Sequence, residues 1–191
     1  MRPLRRTVVM SGYPASGKST LAAALAERLD FALISKDQIL GAIYDAMGGT
    51  AGDPAFSIRT GKGAWAAFWM LSRRCPQAVL DTNIKPEDPF AQARLAEIDG
   101  IVVEVLCQCP LEIAQARYAE RARTPWPAQR DVTLEDTHAA LYGRPLGLER
   151  RVVVDTSGPV DLDAAAAQVR GQFDAAMVEA QGACAPPGSW I

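Results

Sequence analysis

The chain has 191 residues, 49% of them apolar, and a formal charge of −2 at neutral pH. That length suits one domain, or one domain with a small inserted lid, and the apolar content is ample for a sizeable core. The near-zero charge leaves no broad basic surface of the kind that holds polyanions, and no stretch of about 18 uncharged apolar residues offers a membrane span. Four cysteines (Cys75, Cys107, Cys109, Cys184) form no disulfide framework, and Cys107-x-Cys109 lacks the second pair or nearby His of a metal site. The basic start Met1 to Arg6 leads straight into apolar sequence without a signal-like segment, so a cytoplasmic protein is expected.

In chain order, Thr7 to Ser11 is a short apolar, β-branched run that predicts a buried strand. Gly12-Tyr13-Pro14-Ala15-Ser16-Gly17-Lys18-Ser19-Thr20 follows and fits G-x-x-x-x-G-K-[ST], the phosphate-binding loop. Leu21 to Leu29 then carries good helix formers with leucines at four-residue spacing. Strand, glycine loop and helix are the context this motif requires. Gly12 and Gly17 free the backbone to turn its N–H groups onto phosphate oxygens, and the helix N-terminus adds its own free donors. Lys18 would reach the terminal phosphates, and the Ser19 hydroxyl would ligate a Mg²⁺ bridging them. Only four of the 20 basic residues are lysines, which makes a chance Lys18 in the motif rarer. The whole loop, Gly12 to Thr20, is therefore expected to bind a nucleoside triphosphate.

Phe31 to Ser35 predicts a second strand, followed by a helix from Gln38 to Met47 and a flexible break at Gly48 to Pro54. A long helix is expected from Phe56 to Arg74, with Ile58, Trp65, Phe68, Trp69 and Leu71 on one wide apolar face. Gln77 to Asp81 is a third strand after the Cys75-Pro76 stop. Pro86 to Ile98 is a helix ended by Asp99-Gly100, and Ile101 to Leu106 is a fourth strand of little polarity. Leu111 to Arg123 is an Arg-rich helix that stops at Thr124-Pro125-Trp126-Pro127. A short helix spans Leu134 to Leu141, Arg151 to Asp155 is a fifth strand, and Leu162 to Ala180 is a closing helix. Residues 181–191 are expected as a mobile tail after a domain of residues 1–180. Strands alternating with helices argue an α/β domain: a parallel sheet covered on both faces, with ligands beyond the strand C-terminal ends.

Several side chains suit phosphoryl transfer. Asp37, just past the second strand, would accept the proton of an attacking hydroxyl, although Ser35 and Asp37 would also suit capping the next helix. Asp81, at the end of the third strand, stands where such proteins hold Mg²⁺, and it opens Asp81-Thr82-Asn83. Arg117 and Arg121 share one helix face, with Arg123 close behind, and a closing lid would bring them over the phosphates. Arg59 and Trp65 lie between strands two and three on the acceptor side; aromatics at helical spacing more often build core. His138, the lone histidine, has no evident partner. No Asn-Lys-x-Asp element reads guanine, so ATP is the expected nucleotide.

With these residues in place the chain resembles the AAA-domain-type P-loop kinases grouped around the polynucleotide 5′-hydroxyl kinase domain and the zeta-toxin-like kinases. The resemblance runs from Arg6 to about Asp155. It rests on the glycine loop, Ile34-Ser35-Lys36-Asp37, Val79-Leu80-Asp81-Thr82-Asn83, and Cys109-Pro110 followed by Arg117-x-x-x-Arg121. It implies a P-loop NTPase three-layer fold with strand order 2-3-1-4-5 and a helical lid over about residues 111–145. It also implies transfer of the ATP γ-phosphoryl to a hydroxyl, with Asp37 as general base, Lys18 and Ser19 on phosphate and Mg²⁺, and Arg117 and Arg121 in the lid. The polynucleotide kinase pattern has an Arg three residues after the base, where this chain has Leu40. A small hydroxylated acceptor (nucleoside, sugar or antibiotic) is thus favoured over a polynucleotide end. The competing expectation is an ATP-hydrolysing switch acting on a protein partner. Nothing in the pattern specifies an oligomeric state.

Overall fold

The fold comes from a computed structural model, which describes residues 4–48, 53–120 and 139–183. Five strands form one sheet: β1 (Arg6–Gly12), β2 (Ala32–Ser35), β3 (Gln77–Asp81), β4 (Ile101–Gln108) and β5 (Arg150–Asp155). Every pairing is parallel and the order is β2-β3-β1-β4-β5, as the resemblance implied. Seven helices belong to the described residues: α1 (Lys18–Leu29), α2 (Lys36–Met47), α3 (Pro54–Arg74), α4 (Pro89–Ala96), α5 (Leu111–Glu120), α6 (Ala139–Tyr142) and α7 (Leu162–Ala183). None is long and apolar enough to cross a membrane.

Alternation along the central strand splits the core into two layers, because successive strand residues point to opposite faces. Val8 and Met10 of β1 pack with Leu21 and Leu25 of α1 and Val169 and Phe173 of α7. Val9 packs on the other face with Phe68 and Trp69 of α3 and Leu95 of α4. The three-layer arrangement follows from strands that are apolar on both sides.

Helix starts depart from expectation where a cap decides them. Asp53 accepts from the N–H groups of Ala55 and Phe56, so α3 begins at Pro54 rather than Phe56. Asp88 accepts from the Phe90 N–H, so α4 begins at Pro89, three residues after the expected Pro86. α2 begins at Lys36, two residues early, which sets Asp37 in the first helical turn instead of before it. The wide apolar face of α3 is narrower than expected. Phe68 and Trp69 are buried, but Ile58 and Leu71 are 59% and 40% exposed. The closing helix runs three residues past Ala180, to Ala183. Arg121, Arg123, the Thr124-Pro125-Trp126-Pro127 break and His138 lie outside the described residues.

Candidate active site

The glycine loop connects the C-terminal end of β1 to the N-terminus of α1, at the centre of the sheet. Gly12 has φ +127°, and a Cβ there would stand 2.4 Å from the Cys107 carbonyl oxygen of β4, so no larger residue fits without moving backbone. Gly17 has φ +89° and caps α1 without a side-chain bond, leaving the helix's first N–H groups free for an anion. Between them Ala15 is held at φ +62°, a left-handed angle that costs about 1–2 kcal/mol for a residue with a Cβ. The Ser16 N–H donates to the Tyr13 carbonyl (3.1 Å), closing the loop on itself. Lys18 Nζ donates to the carbonyls of Gly12 (3.0 Å) and Tyr13 (2.5 Å), so its ammonium crosses the mouth of the loop.

A cavity of about 590 Å³ opens above this loop. Ala15, Gly17, Lys18, Ser19 and Thr20 line it, whereas Gly12, Tyr13, Pro14 and Ser16 shape the loop without lining it. Asp37, Asp81, Thr82 and Asn83 border the same space, so residues from the ends of β1, β2 and β3 converge on one cavity. Asp81 is 6% exposed, accepts from the Ser19 hydroxyl on Oδ1 (3.1 Å) and from the Ser35 hydroxyl on Oδ2 (3.1 Å). A buried carboxylate held by two neutral hydroxyls is a hard oxygen site of the kind that suits a Mg²⁺. Ser35 therefore spends its hydroxyl on Asp81; it holds the N-cap position of α2 without making a side-chain cap bond.

The opposite end of the cavity comes from the loop after β5 and the second turn of α1. Thr156, Gly158, Pro159, Val160 and Leu162 face Leu21 and Ala24 across it. Arg117 joins this end, donating from Nη1 to the Thr156 carbonyl (2.8 Å) and from Nη2 to the Ser157 carbonyl (3.1 Å). Its planar fork pins α5 to that loop while the side chain still borders the cavity. This loop lies outside the motifs of the sequence. Its signal was available: Thr156-Ser157-Gly158-Pro159 is a turn directly beyond a strand C-terminus, where parallel sheets bind ligands.

On the acceptor side, Arg59 is exposed on α3 and Trp65 is half-buried, and neither lines the cavity. Trp65 stacks on Trp69 (centroids 5.8 Å apart, 17° between planes) and meets Phe68 edge-on. Lys36 Nζ lies 5.9 Å from the Trp65 ring centre and 2.5 Å from Asp37 Oδ1.

Two buried groups beneath the loop were also unforeseen. Glu104 lies in the middle of β4 with its side chain fully buried, although this strand read as nearly free of polarity. It accepts from the Ser11 hydroxyl (2.6 Å), the Leu146 N–H (2.8 Å) and Arg151 Nε (2.8 Å). It thereby ties the last residue before the glycine loop to the segment after α6 and to β5. Glu104→Ala would strand all three donors and is expected to lower stability by about 3–5 kcal/mol, read as the shift of a urea midpoint. An unshifted midpoint would show that the three donors find other partners. Cys107 is the second group. Burial pushes its thiol up to about 12, against the pull of the Lys18 charge, with Asp81 and Cys109 adding to the rise. Near neutral pH an alkylating reagent should therefore modify the half-buried Cys75 well before Cys107, as peptide mapping would read. Labelling of Cys107 first would mean that the loop opens readily.

Solved structures share this fold. A protein of Chloroflexus aurantiacus J-10-fl to which kinase activity is ascribed superposes with a TM-score of 0.73 at 22% identity, over 92% of this chain and 99% of that one. A gluconokinase from Sinorhizobium meliloti 1021 gives 0.58 at 18% identity, over 96% and 100%. The Mycobacterium tuberculosis APS kinase CysC, solved with AMPPNP and APS, gives 0.56 at 18%, over 90% and 99%. No curated protein matches the sequence. Identities this low speak for the fold, which is that of the P-loop NTPases. Residues 8–142, spanning the glycine loop, Asp37, Asp81 and Arg117, match the family described as AAA domain, and the chain belongs to that family.

Proposed function

We propose that the protein is an ATP- and Mg²⁺-dependent kinase that moves the γ-phosphoryl of ATP to a hydroxyl of a small molecule. The observation that carries this reading is that Asp37 borders the same cavity as Lys18, Ser19 and Asp81. A carboxylate facing a phosphate loop across one space is what in-line transfer to a hydroxyl requires.

The geometry supports the following roles. The α1 N-terminus and loop N–H groups hold the phosphates, and Lys18 exchanges its two carbonyl partners for phosphate oxygens. Ser19 and Asp81 would hold Mg²⁺, which when bound neutralises developing phosphate charge. The loop after β5, with Leu21, Ala24, Val160 and Leu162, gives the nucleoside end an apolar seat, beside which Arg117 lies. Asp37 takes the proton of the acceptor hydroxyl as its oxygen bonds to the γ-phosphorus and the bond to the β-γ bridging oxygen breaks. Phosphorylated acceptor and ADP leave, and Asp37 passes its proton to solvent. Arg121 and Arg123 would complete the phosphate contacts from the lid.

A small acceptor is favoured by a cavity of about 590 Å³ and by the weakly acidic whole. Solved neighbours named for gluconate, shikimate and APS support the same size class. The finer likeness to polynucleotide 5′-hydroxyl and zeta-toxin-like kinases stays part of the proposal for the reaction and not for the acceptor. Thr82 and Asn83, which line the cavity beside Asp81, are the residues proposed to touch the acceptor; Arg59 and Trp65 stand back from it.

Transfer from γ-labelled ATP to a panel of 5′-hydroxyl oligonucleotides, nucleosides, sugars, sugar acids and aminoglycoside- or nucleoside-type antibiotics tests the reading. Label on one acceptor class is the expected result. Label released only as phosphate, at a rate indifferent to every acceptor, would replace it with the ATP-hydrolysing switch.

A further inference from the structure

Lys36 is one of only four lysines in the chain, and it does not line the cavity. Its side chain is 19% exposed, although it sits at the first position of a helix beside the cavity. Neighbours i and i+1 on a helix point about 100° apart and do not face each other, so adjacency alone does not pair Lys36 with Asp37. The lysine must bend back toward the carboxylate. The Trp65 ring holds it there: Nζ lies 5.9 Å from the ring centre, on a platform made rigid by Trp69 and Phe68, both buried in the core.

We propose that Lys36 is a positioning residue for the base Asp37, and that Trp65 acts on transfer only through it. The inference rests on the kinase reading. Asp37 is 54% exposed, and its partner among the described residues is Lys36, which takes Oδ1 at 2.5 Å. An exposed aspartate samples several rotamers, and holding one oxygen leaves the other, Oδ2, to face the acceptor. In the transfer step the acceptor O–H bond breaks, its proton moves to Oδ2, the acceptor oxygen bonds to the γ-phosphorus, and ADP departs with the electrons of the broken P–O bond. Lys36 gives up no proton. It keeps the carboxylate aimed until the hydroxyl arrives. This also assigns the α3 aromatics: they build the support for the base, and they need not touch substrate.

The test measures steady-state transfer to the best acceptor of the panel above for the full chain and for Lys36→Met, Lys36→Arg, Trp65→Phe, Trp65→Leu and Lys36→Met/Trp65→Leu. Lys36→Met should lower kcat by about 10- to 100-fold with an unchanged KM for ATP, the signature of lost alignment and not of lost nucleotide binding. Lys36→Arg and Trp65→Phe, which keep the cation and the ring face, should recover most of the rate. Trp65→Leu should fall, and the double variant should be no slower than Lys36→Met, because both changes remove one contact chain. Wild-type kcat in Lys36→Met, or losses that multiply in the double variant, would overturn the proposal with the kinase reading intact. A KM for ATP that rises in step with the fall in kcat would overturn it too, by marking a merely structural lysine. No transfer by the wild-type chain to any acceptor would remove both readings together.

Discussion

Asp37→Asn is expected to lower phosphoryl transfer by about 10²- to 10⁴-fold, the range that a positioned general base supplies, with ATP affinity nearly unchanged. The substitution preserves shape and removes only the charge and the proton-accepting oxygen. Asp37 borders the cavity from the first turn of α2, while the proposed phosphate contacts come from the glycine loop and α1, so the proposed nucleotide seat does not include it. Its carboxylate is exposed and its ion partner is its own neighbour, so the fold should lose little when it is neutralised. Labelled transfer and an equilibrium ATP titration, run side by side, check both halves. Full turnover in Asp37→Asn would remove it from the mechanism and make its place in the first helical turn a matter of helix electrostatics alone.

Lys18→Met should cost about 10²- to 10³-fold in kcat, as expected for removing one preorganised donor aimed at developing charge. Lys18 is buried, and its ammonium donates to the Gly12 and Tyr13 carbonyls. It is thus desolvated in advance and poised at the loop mouth, where an exchange of carbonyl for phosphate oxygens needs little motion. Lys18→Arg should fail nearly as badly, since a planar fork cannot occupy a seat shaped for a compact ammonium. A normal rate in Lys18→Met would sink the whole kinase reading, and a normal melting temperature beside a lost rate would confirm that chemistry and not folding was removed.

Much of this site is local and so was legible in the residues. The glycine loop needs particular backbone angles over nine consecutive positions, and Gly12, Gly17, Lys18 and Ser19 announce them in one stretch. Strands β1, β3 and β4 were legible because burial on both faces makes them continuous apolar runs, and a run of that kind needs helices on both sides. The positions of Asp37 and Asp81 followed from a topological rule, since Asp81 ends β3 and Asp37 stands two residues beyond the end of β2. Helix starts were less secure, because Asp53 and Asp88 outcompete neighbouring capping candidates only once their side chains are seen to reach the free N–H groups.

What the tertiary structure alone decided are contacts between residues distant in the chain. Ser35 looked like a helix cap until β2 was laid beside β3, which puts its hydroxyl on Asp81, 46 residues away. Glu104 was invisible in an apolar strand because its compensation comes from Ser11 and Arg151, 93 residues before it and 47 after it. Trp65 resembled either core or substrate surface, and only the packing of α3 beside α2 puts its ring next to Lys36, which in turn pairs with Asp37. Local backbone demands and burial periodicity are written in neighbouring residues, and so the chain itself specified the loop, the layers and the class of chemistry. Partners for buried polar groups are chosen by whichever segments the fold brings together, so the packed sheet and its helices alone decided how that chemistry is held in place.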